Sequence, residues 1–233
     1  VAPNREPKSL LPKSAHSVLR RRRIRVGNVV PSWSQAYTLR KTTQGRKKKI
    51  TPQPELGGRN PSTFIEGTVC GPIKGALIAL LHQGSPVLGV IDMPTLGERW
   101  VGRQDQPTTF NGNPVHAQAC DDLAQAWLYA TSPQMFEDAD FPAFERLRKQ
   151  ARRTVYGAEC MAYGLLANGT VDLVCEGTMK LYDYAAVVPI VEGAGGVITD
   201  WWGRALGMEG DGTVLAAGDH ALHAAALEVL TGD

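Results

Sequence analysis

The pattern of apolar residues from position 75 onward predicts a β-meander. Residues 76–81 form an uninterrupted apolar run, and residues 82–86 have the composition of a hairpin turn. A returning strand is predicted at 87–93 and a third strand at 98–102. The dipeptide at 111–112, Asn-Gly, favours a tight turn with positive φ, so we interpret both of its residues as structural.

The pattern changes near residue 126, beyond which strand-like and helix-like segments alternate. Residues 126–131 are typical of a buried strand, and a helix is predicted at 141–150 with Phe144 and Leu147 on one face. Alternation of this kind predicts α/β layering. The other predicted elements are strands at 152–156, 171–175 and 197–199, a helix at 161–167, and a last helix that Asp219 can cap.

The most informative stretch is 176–206, in which one acid precedes a small, apolar run. Asp183 stands just before residues 185–191, and the glycines at 193, 195 and 196 end the run. The pattern predicts a buried helix with Asp183 in its first turn, where the helix dipole favours a charged carboxylate. Asp183 is either a ligand for a hard cation or an N-terminal capping residue, and spacing alone favours the cap.

Composition is ordinary for a globular protein, but charge is unevenly distributed. Of the 233 residues 43% are apolar, and no apolar run approaches the roughly 20 residues of a membrane span, so no membrane partner is expected. Residues 1–60 contain 15 Lys and Arg against two acids, whereas the rest contain 10 Lys and Arg against 21 acids. The cysteines lack CxxC or zinc spacing, so we expect reduced thiols in a cytoplasmic protein.

Residues 1–60 carry basic clusters at 20–25 and 47–49 and show no sustained apolar period. Such a segment cannot bury enough surface to offset its ordering entropy, so we expect most of it to be disordered. A nucleic-acid contact and a transit peptide are alternative interpretations of the basic composition. We expect no nucleic-acid partner, and the many prolines argue against a transit peptide.

The stretch 176–206 resembles the C-terminal signature of the inositol monophosphatase-like family of Mg-dependent phosphatases. The resemblance rests on Tyr182-Asp183, Ala185-Ala186 and Gly195-Gly196, and the text YDYAAVVPIVEGAGGVITDWWGR is most similar to the histidinol-phosphate phosphatase branch. It implies an α/β fold, an αβαβα sandwich whose N-terminal helices are missing or disordered here. Residues 61–125 would be an antiparallel-rich remnant of the first half, and 126–233 the second half with the Asp183 motif.

The same resemblance implies a site. Asp183 would be a metal ligand for Mg²⁺, and Gly157, Ala158, Glu159 and Glu176 would line the substrate pocket. The implied substrate is a small phosphate ester, either histidinol phosphate of histidine biosynthesis or an inositol monophosphate-type ester. A carboxylate pair at Glu159 and Glu176 would bind the cationic amine of histidinol phosphate through charge-assisted hydrogen bonds. The resemblance assigns no further catalytic residue. A homodimer is among the assemblies that the sequence allows.

One family motif, a DPxDGT-like metal loop, is not recognisable. Its expected position at 56–61, just before Phe64-Ile65-Glu66-Gly67, reads LGGRNP, and residues 1–60 contain no aspartate. We hypothesise that this part is replaced or translated out of frame, with family sequence resuming at about Phe64. A DPxDGT-like text in another reading frame of the gene would support the hypothesis, and its absence from every frame would refute it.

Three interpretations remain open from the sequence. In the first, the chain keeps the family fold with little or no catalysis, because a single carboxylate holds Mg²⁺ only weakly. In the second, a working phosphatase completes its site with unconventional ligands or from another subunit. In the third, the fold is a non-catalytic scaffold that carries a basic nucleic-acid-binding tail.

Loss of the N-terminal helices would also leave an apolar patch exposed on the first sheet.

Overall fold

The computed structural model describes residues 62–69, 75–137 and 140–232. The predictions made for residues 1–60, and the loop expected at 56–61, lie outside these residues. All the described residues fall within a unit that spans Glu55–Asp233. Among the helices that they form, none is both long and apolar enough to cross a bilayer.

The first sheet is an antiparallel meander in which chain neighbours are also sheet neighbours. Alternate residues of its second strand, Leu77, Ala79 and Leu81, are buried. The meander predicted from Gly75 is therefore confirmed, and Asn111 and Gly112 both have the positive φ expected of their turn. The strands are β1 Ser62–Val69, β2 Gly75–His82, β3 Ser85–Met93, β4 Glu98–Arg103, β5 Gln106–Phe110 and β6 Asn113–Pro114.

The second sheet is mixed. Its first strand pairs in parallel with the two strands on either side of it, and the helices of the intervening crossovers cover the sheet. This confirms the predicted alternation of strand and helix, although the last strand escaped prediction. In sheet order the strands are β10 Val197–Thr199, β11 Val214–Ala217, β9 Leu173–Glu176, β7 Trp127–Ala130 and β8 Arg153–Tyr156.

The predicted single helix that begins near Asp183 is wrong, because two short helices occupy this stretch. Pro189 has no N–H to donate to the carbonyl of Ala185, so the helical ladder is interrupted there, and the proline lies in the first turn of the second helix, where it is tolerated. The helices are α1 Asp140–Gln150, α2 Met161–Ala167, α3 Leu181–Tyr184, α4 Val188–Gly193 and α5 His220–Thr231, with 3-10 turns at Leu123–Gln125 and Pro133–Met135.

Two apolar cores separate the layers. One core joins the first sheet, α2, α4 and one face of the second sheet, and Val174 belongs to it. The other joins the opposite face of that sheet, where Leu173 and Cys175 lie, to α1 and α5. Alternate residues of β9 thus face different cores, as the period of a strand requires. The described residues form layers in the order sheet, helices, sheet, helices. The predicted α/β fold is therefore confirmed.

The backbone of α4, and of the residues just before it, packs directly against the backbone of the first sheet. A Cβ atom at Gly89 would lie 1.8 Å from the carbonyl oxygen of Ala186, and one at Gly102 would lie 2.3 Å from that of Pro189. The buried Thr108 hydroxyl donates to the carbonyl of Ile190 at 2.8 Å. Because α3 and α4 are almost continuous, this close contact also fixes where α3 and Asp183 lie against the first sheet.

Candidate functional site

The three acids predicted to form the site line one cavity of about 210 Å³. Glu176 ends β9, Glu159 follows β8, and Asp183 lies in α3. The carboxyl ends of β7, β8 and β9 meet at one edge of the second sheet, where α/β folds commonly bind ligands. The wall is completed by polar and apolar side chains that include Thr131, Met135, Cys160, Tyr163, Thr178 and Met179.

Glu176 is the most deeply buried of the three acids, with 2% of its surface exposed. Its Oε1 accepts hydrogen bonds from the backbone N–H of Thr131 at 3.1 Å and from the Thr131 hydroxyl at 2.6 Å. Its Oε2 accepts from the Tyr163 hydroxyl at 3.3 Å. Burial outweighs these donors, and with the nearby charge of Glu159 it raises the pKa of Glu176 to about 7.

Glu159 reaches the cavity from a left-handed backbone conformation, with φ of +52°. A non-glycine residue adopts this conformation at some cost, and such residues are often found in functional sites. Partial burial, followed by the charge of Asp183, raises the pKa of the Glu159 carboxyl. The carboxylates of Glu159 and Asp183 are therefore close enough to interact electrostatically.

Thr178 is a second strained residue on the cavity wall. It is β-branched, a type that rarely tolerates positive φ, and its φ is +52°. Its hydroxyl donates to the carbonyl of Met135 at 3.0 Å, which ties the loop after β9 to the 3-10 turn after β7. This contact fixes the position of Met135, an apolar part of the same wall.

Asp183 is the third residue of α3, and its carboxylate bonds back to the N-cap residue, Lys180. Its Oδ2 accepts a hydrogen bond from the backbone N–H of Lys180 at 3.0 Å, which ties the carboxylate to the N-terminus of α3. The capping interpretation is confirmed only in part, because Asp183 contributes to the capping of α3 from its third residue whereas Lys180 is the N-cap residue. A cap and a metal ligand are compatible roles, because a carboxylate has a second oxygen and further lone pairs.

The described residues do not complete a metal site. They contain no group of three or more His, Cys, Asp or Glu side chains placed to hold one ion. Mg²⁺ prefers six oxygen ligands, of which proteins commonly supply only a few. Asp183 is a chemically suitable ligand beside the cavity, but a site with three or more such side chains would need protein ligands from outside the described residues.

Gly157 and Ala158 are not among the described residues that line the cavity. Gly157 has φ of +86°, and its N–H donates to the carbonyl of Thr131 at 3.0 Å. This bond ties the segment before Glu159 to the end of β7. Both residues hold the backbone that presents Glu159, and their predicted contact with substrate stays a prediction.

Sequence reasoning missed Thr131 and Tyr163, the two residues that hold Glu176. Thr131 follows β7, the strand beside β9, so its position at the end of a neighbouring parallel strand was an available signal. Tyr163 lies in α2 among apolar residues, and nothing in the sequence distinguishes its hydroxyl from that of any core tyrosine.

The described residues give the cavity an acidic wall, and its one cysteine is not a nucleophile near neutral pH. No Lys, Arg or His occurs among the described residues of its wall, whereas three carboxyl groups do. Burial, and then the charges of Glu159 and Glu176, raises the pKa of the Cys160 thiol to about 12, so this cysteine is an unreactive thiol near neutral pH. The arrangement is suited to holding a cationic group.

Comparisons with known proteins agree on the family. Residues 62–231 match the inositol monophosphatase family. The chain is 45% identical over 175 residues to "Bifunctional phosphatase IMPL2, chloroplastic" of Arabidopsis thaliana, covering 72% of this chain and 50% of that protein. It is 32% identical over 155 residues to a histidinol-phosphatase of Chlorobaculum parvum, covering 66% of this chain and 59% of that protein.

Among solved structures, an inositol monophosphatase from Zymomonas mobilis superposes with a TM-score of 0.67 at 48% identity. The alignment covers 68% of this chain and 62% of that one. The chain thus spans about half to three fifths of the length of these relatives. The family match covers most of the chain and contains all three cavity acids. The chain therefore belongs to the inositol monophosphatase family.

Proposed function

We propose that this chain is a Mg²⁺-dependent phosphate monoester hydrolase whose substrate is histidinol phosphate. In this proposal Glu159 and Glu176 bind the ammonium group of the substrate, and Asp183 is one of the metal ligands. Mg²⁺, when bound, would neutralise the phosphate ester and lower the pKa of a bound water. The remaining ligands would come from outside the described residues or from another subunit.

The observation that carries the proposal is the charge of the cavity wall. Glu159, Glu176 and Asp183 line it, and the described residues place no cationic side chain there. Burial and then the charge of Asp183 raise the pKa of Glu159, and burial with the charge of Glu159 raises the pKa of Glu176, so a cation bound beside these carboxyl groups would stabilise their charged forms. An uncharged polyol gains no such stabilisation, so the wall favours an ammonium-bearing ester.

The test is release of phosphate from histidinol phosphate by the purified 1–233 chain, with and without Mg²⁺, beside the Asp183→Asn variant. We expect Mg²⁺-dependent release that is lost in Asp183→Asn. Glu176→Gln should weaken binding of histidinol phosphate by about ten- to hundredfold, since a charge-assisted contact is lost. Absence of release from a folded chain would overturn the catalytic part of the proposal.

Inositol monophosphate is the second candidate substrate. The Zymomonas mobilis structure is described as an inositol monophosphatase and shares 48% identity with this chain. Both esters should be compared in the same assay at equal concentrations. Two results together would select this alternative. The kcat/KM for inositol 1-phosphate would exceed the kcat/KM for histidinol phosphate, and Glu176→Gln would leave the ratio of the two values unchanged.

Three finer parts of the proposal need their own tests. A role in histidine biosynthesis predicts that the chain rescues a bacterial strain lacking histidinol-phosphatase. A homodimer predicts twice the monomer mass in sedimentation equilibrium. A cytoplasmic location is tested by imaging a tagged protein in its own cell, and the Arabidopsis thaliana relative, named as chloroplastic, makes the plastid the competing outcome.

A further inference from the structure

The Glu176 carboxyl is held by a small network that reaches it from two sides. Thr131, at the end of β7, contributes a backbone N–H and a hydroxyl to Oε1, at 3.1 and 2.6 Å. Tyr163, in α2 and 0% exposed, contributes its hydroxyl to Oε2 at 3.3 Å. Since the donors belong to different elements, the carboxyl cannot rotate without breaking at least one of these bonds.

The network does more than satisfy a buried group. A glutamine in this place would accept from Thr131 with its oxygen and donate from its amide nitrogen to the Tyr163 hydroxyl, and it would avoid the cost of burying a charge. Instead the chain has a carboxylate whose ionised form the fold stabilises incompletely, because burial raises its pKa to about 7 in spite of three donors. On the wall of a cavity, the ionised form of such a carboxylate would be stabilised strongly by a cationic ligand.

We infer that Tyr163 and Thr131 are positioning residues that hold the Glu176 carboxyl facing the cavity, and that this network makes the pocket select phosphate esters bearing an ammonium group over uncharged esters. The inference rests on the proposed function, which it deepens. Tyr163 is the more informative of the two residues, because its hydroxyl makes one bond to Glu176 and removal leaves an aromatic ring of the same shape.

The other titratable groups around Glu176 do not share this role. Burial raises the pKa of the Cys160 thiol to about 12, and burial likewise raises the pKa of Cys175 and of Tyr163 well above their usual values. All three are therefore uncharged near neutral pH. Of the described groups that act on Glu176, Glu159 is the one whose negative charge opposes ionisation.

The test compares Tyr163→Phe with wild type in two measurements. The first follows the Glu176 carboxyl by ¹³C NMR across pH, with glutamate labelled at the side-chain carbonyl and the resonance assigned by its loss in Glu176→Gln. The second measures affinity for histidinol phosphate and inositol 1-phosphate by calorimetry at pH 7.5. The matched control is Tyr184→Phe, which loses a buried hydroxyl that donates to the carbonyl of Gly207 at 2.8 Å, away from Glu176.

We expect Tyr163→Phe to raise the pKa of Glu176 and to weaken histidinol phosphate binding by about tenfold, since one bond to the charged form is lost. Inositol 1-phosphate binding and the control variant should show neither change. An unaltered Glu176 titration in folded Tyr163→Phe would overturn the positioning role, and equal weakening for both esters would overturn the selectivity. If Tyr163→Phe does not fold, Thr131→Val is measured in the same way.

Failure of the proposed function gives a different result. A wild-type chain that binds neither ester, while Tyr163→Phe still raises the pKa of Glu176, would overturn the histidinol phosphate proposal and leave the positioning role standing. The titration needs no substrate, so it tests the network independently of catalysis.

Discussion

The Glu176 carboxyl makes stability depend on pH in an unusual direction. Most acids of folded proteins have pKa values at or below their ordinary range, but burial raises the pKa of this one from 4.5 to about 7. The folded state therefore holds a proton that the unfolded state releases. The stabilisation is complete below about pH 4.5 and is lost as pH rises through about 7.

This predicts a specific difference between wild type and Glu176→Gln. From pH 4.5 to pH 8 the free energy of unfolding of wild type should fall by about 3 kcal/mol relative to the variant, which has no proton to lose at this position. Urea unfolding at a series of pH values measures both curves, and other titrating groups cancel in the difference. Curves that stay parallel across this interval would contradict the raised pKa.

Asp183 allows its two roles to be separated by the choice of substitution. Asparagine retains a side-chain oxygen that can accept from the N–H of Lys180, whereas alanine does not. Asp183→Asn should therefore keep the melting temperature near that of wild type, and Asp183→Ala should lose about 1 kcal/mol of stability. Both should weaken Mn²⁺ binding, followed by electron paramagnetic resonance. Full Mn²⁺ binding in both variants would overturn the metal-ligand role of Asp183.

At the scale of single residues, sequence reasoning found the acids but not their partners. Asp183, Glu159 and Glu176 were predicted to share a site, and they line one cavity. The signal came from acids next to strand ends and from a family resemblance. The hydroxyls of Thr131 and Tyr163 gave no such signal, because threonine and tyrosine are common in strands and cores whether or not they hold a carboxyl.

The contact between α4 and the first sheet depends on two residues without side chains. Gly89 and Gly102 let the backbone of residues 186–190 approach the strands directly. A helix packed at this distance transmits its position to α3, which carries Asp183. The geometry of the cavity therefore depends on glycines that lie outside it.

Gly102→Ala tests this dependence. An alanine in a strand would otherwise stabilise the chain slightly relative to glycine, but its Cβ would lie 2.3 Å from the carbonyl oxygen of Pro189. We expect a loss of about 3 kcal/mol or more in denaturant unfolding, because backbone has to move. Gly207→Ala, whose Cβ would lie 3.3 Å from the nearest carbonyl oxygen, is the milder comparison. Equal effects of the two substitutions would contradict the close packing.

At the scale of elements, periodicity predicted those strands and helices that have a clear pattern. The meander and α1, α2 and α5 were found, but the stretch after Asp183 was predicted as one helix because its apolar run is continuous. Pro189 divides it by removing one hydrogen-bond donor. Strand β11, Val214–Ala217, is buried on both faces and only four residues long, so it has no alternation to recognise.

The outer face of the first sheet concerns the whole molecule. Ile78, Leu80 and Leu88 point away from both apolar cores and are partly exposed. The helical layer that the family resemblance implies on this face lies outside the described residues. The predicted exposed patch therefore stays a prediction, tested by whether the full chain binds a hydrophobic dye that a polar substitution at Leu80 removes.

The two sheets share one core, so they should unfold together. Trp100 of the first sheet lies in that core, and its indole N–H donates to the Oδ1 of Asn168 at 3.0 Å, just after α2. Trp201 lies beyond the second sheet, in the other core. Because α2 and α4 contact both sheets, neither sheet can lose its partner without exposing apolar surface on the other.

Fluorotryptophan labelling tests this cooperativity, with the Trp100 and Trp201 resonances assigned by Trp→Phe variants. Both native signals should disappear at the same urea concentration, since coincident transitions are what a single cooperative unit shows. Loss of the Trp100 signal at a lower urea concentration would mean that the first sheet unfolds separately. In that case the cavity, which Leu77 of the first sheet also lines, would open while the second sheet remained folded.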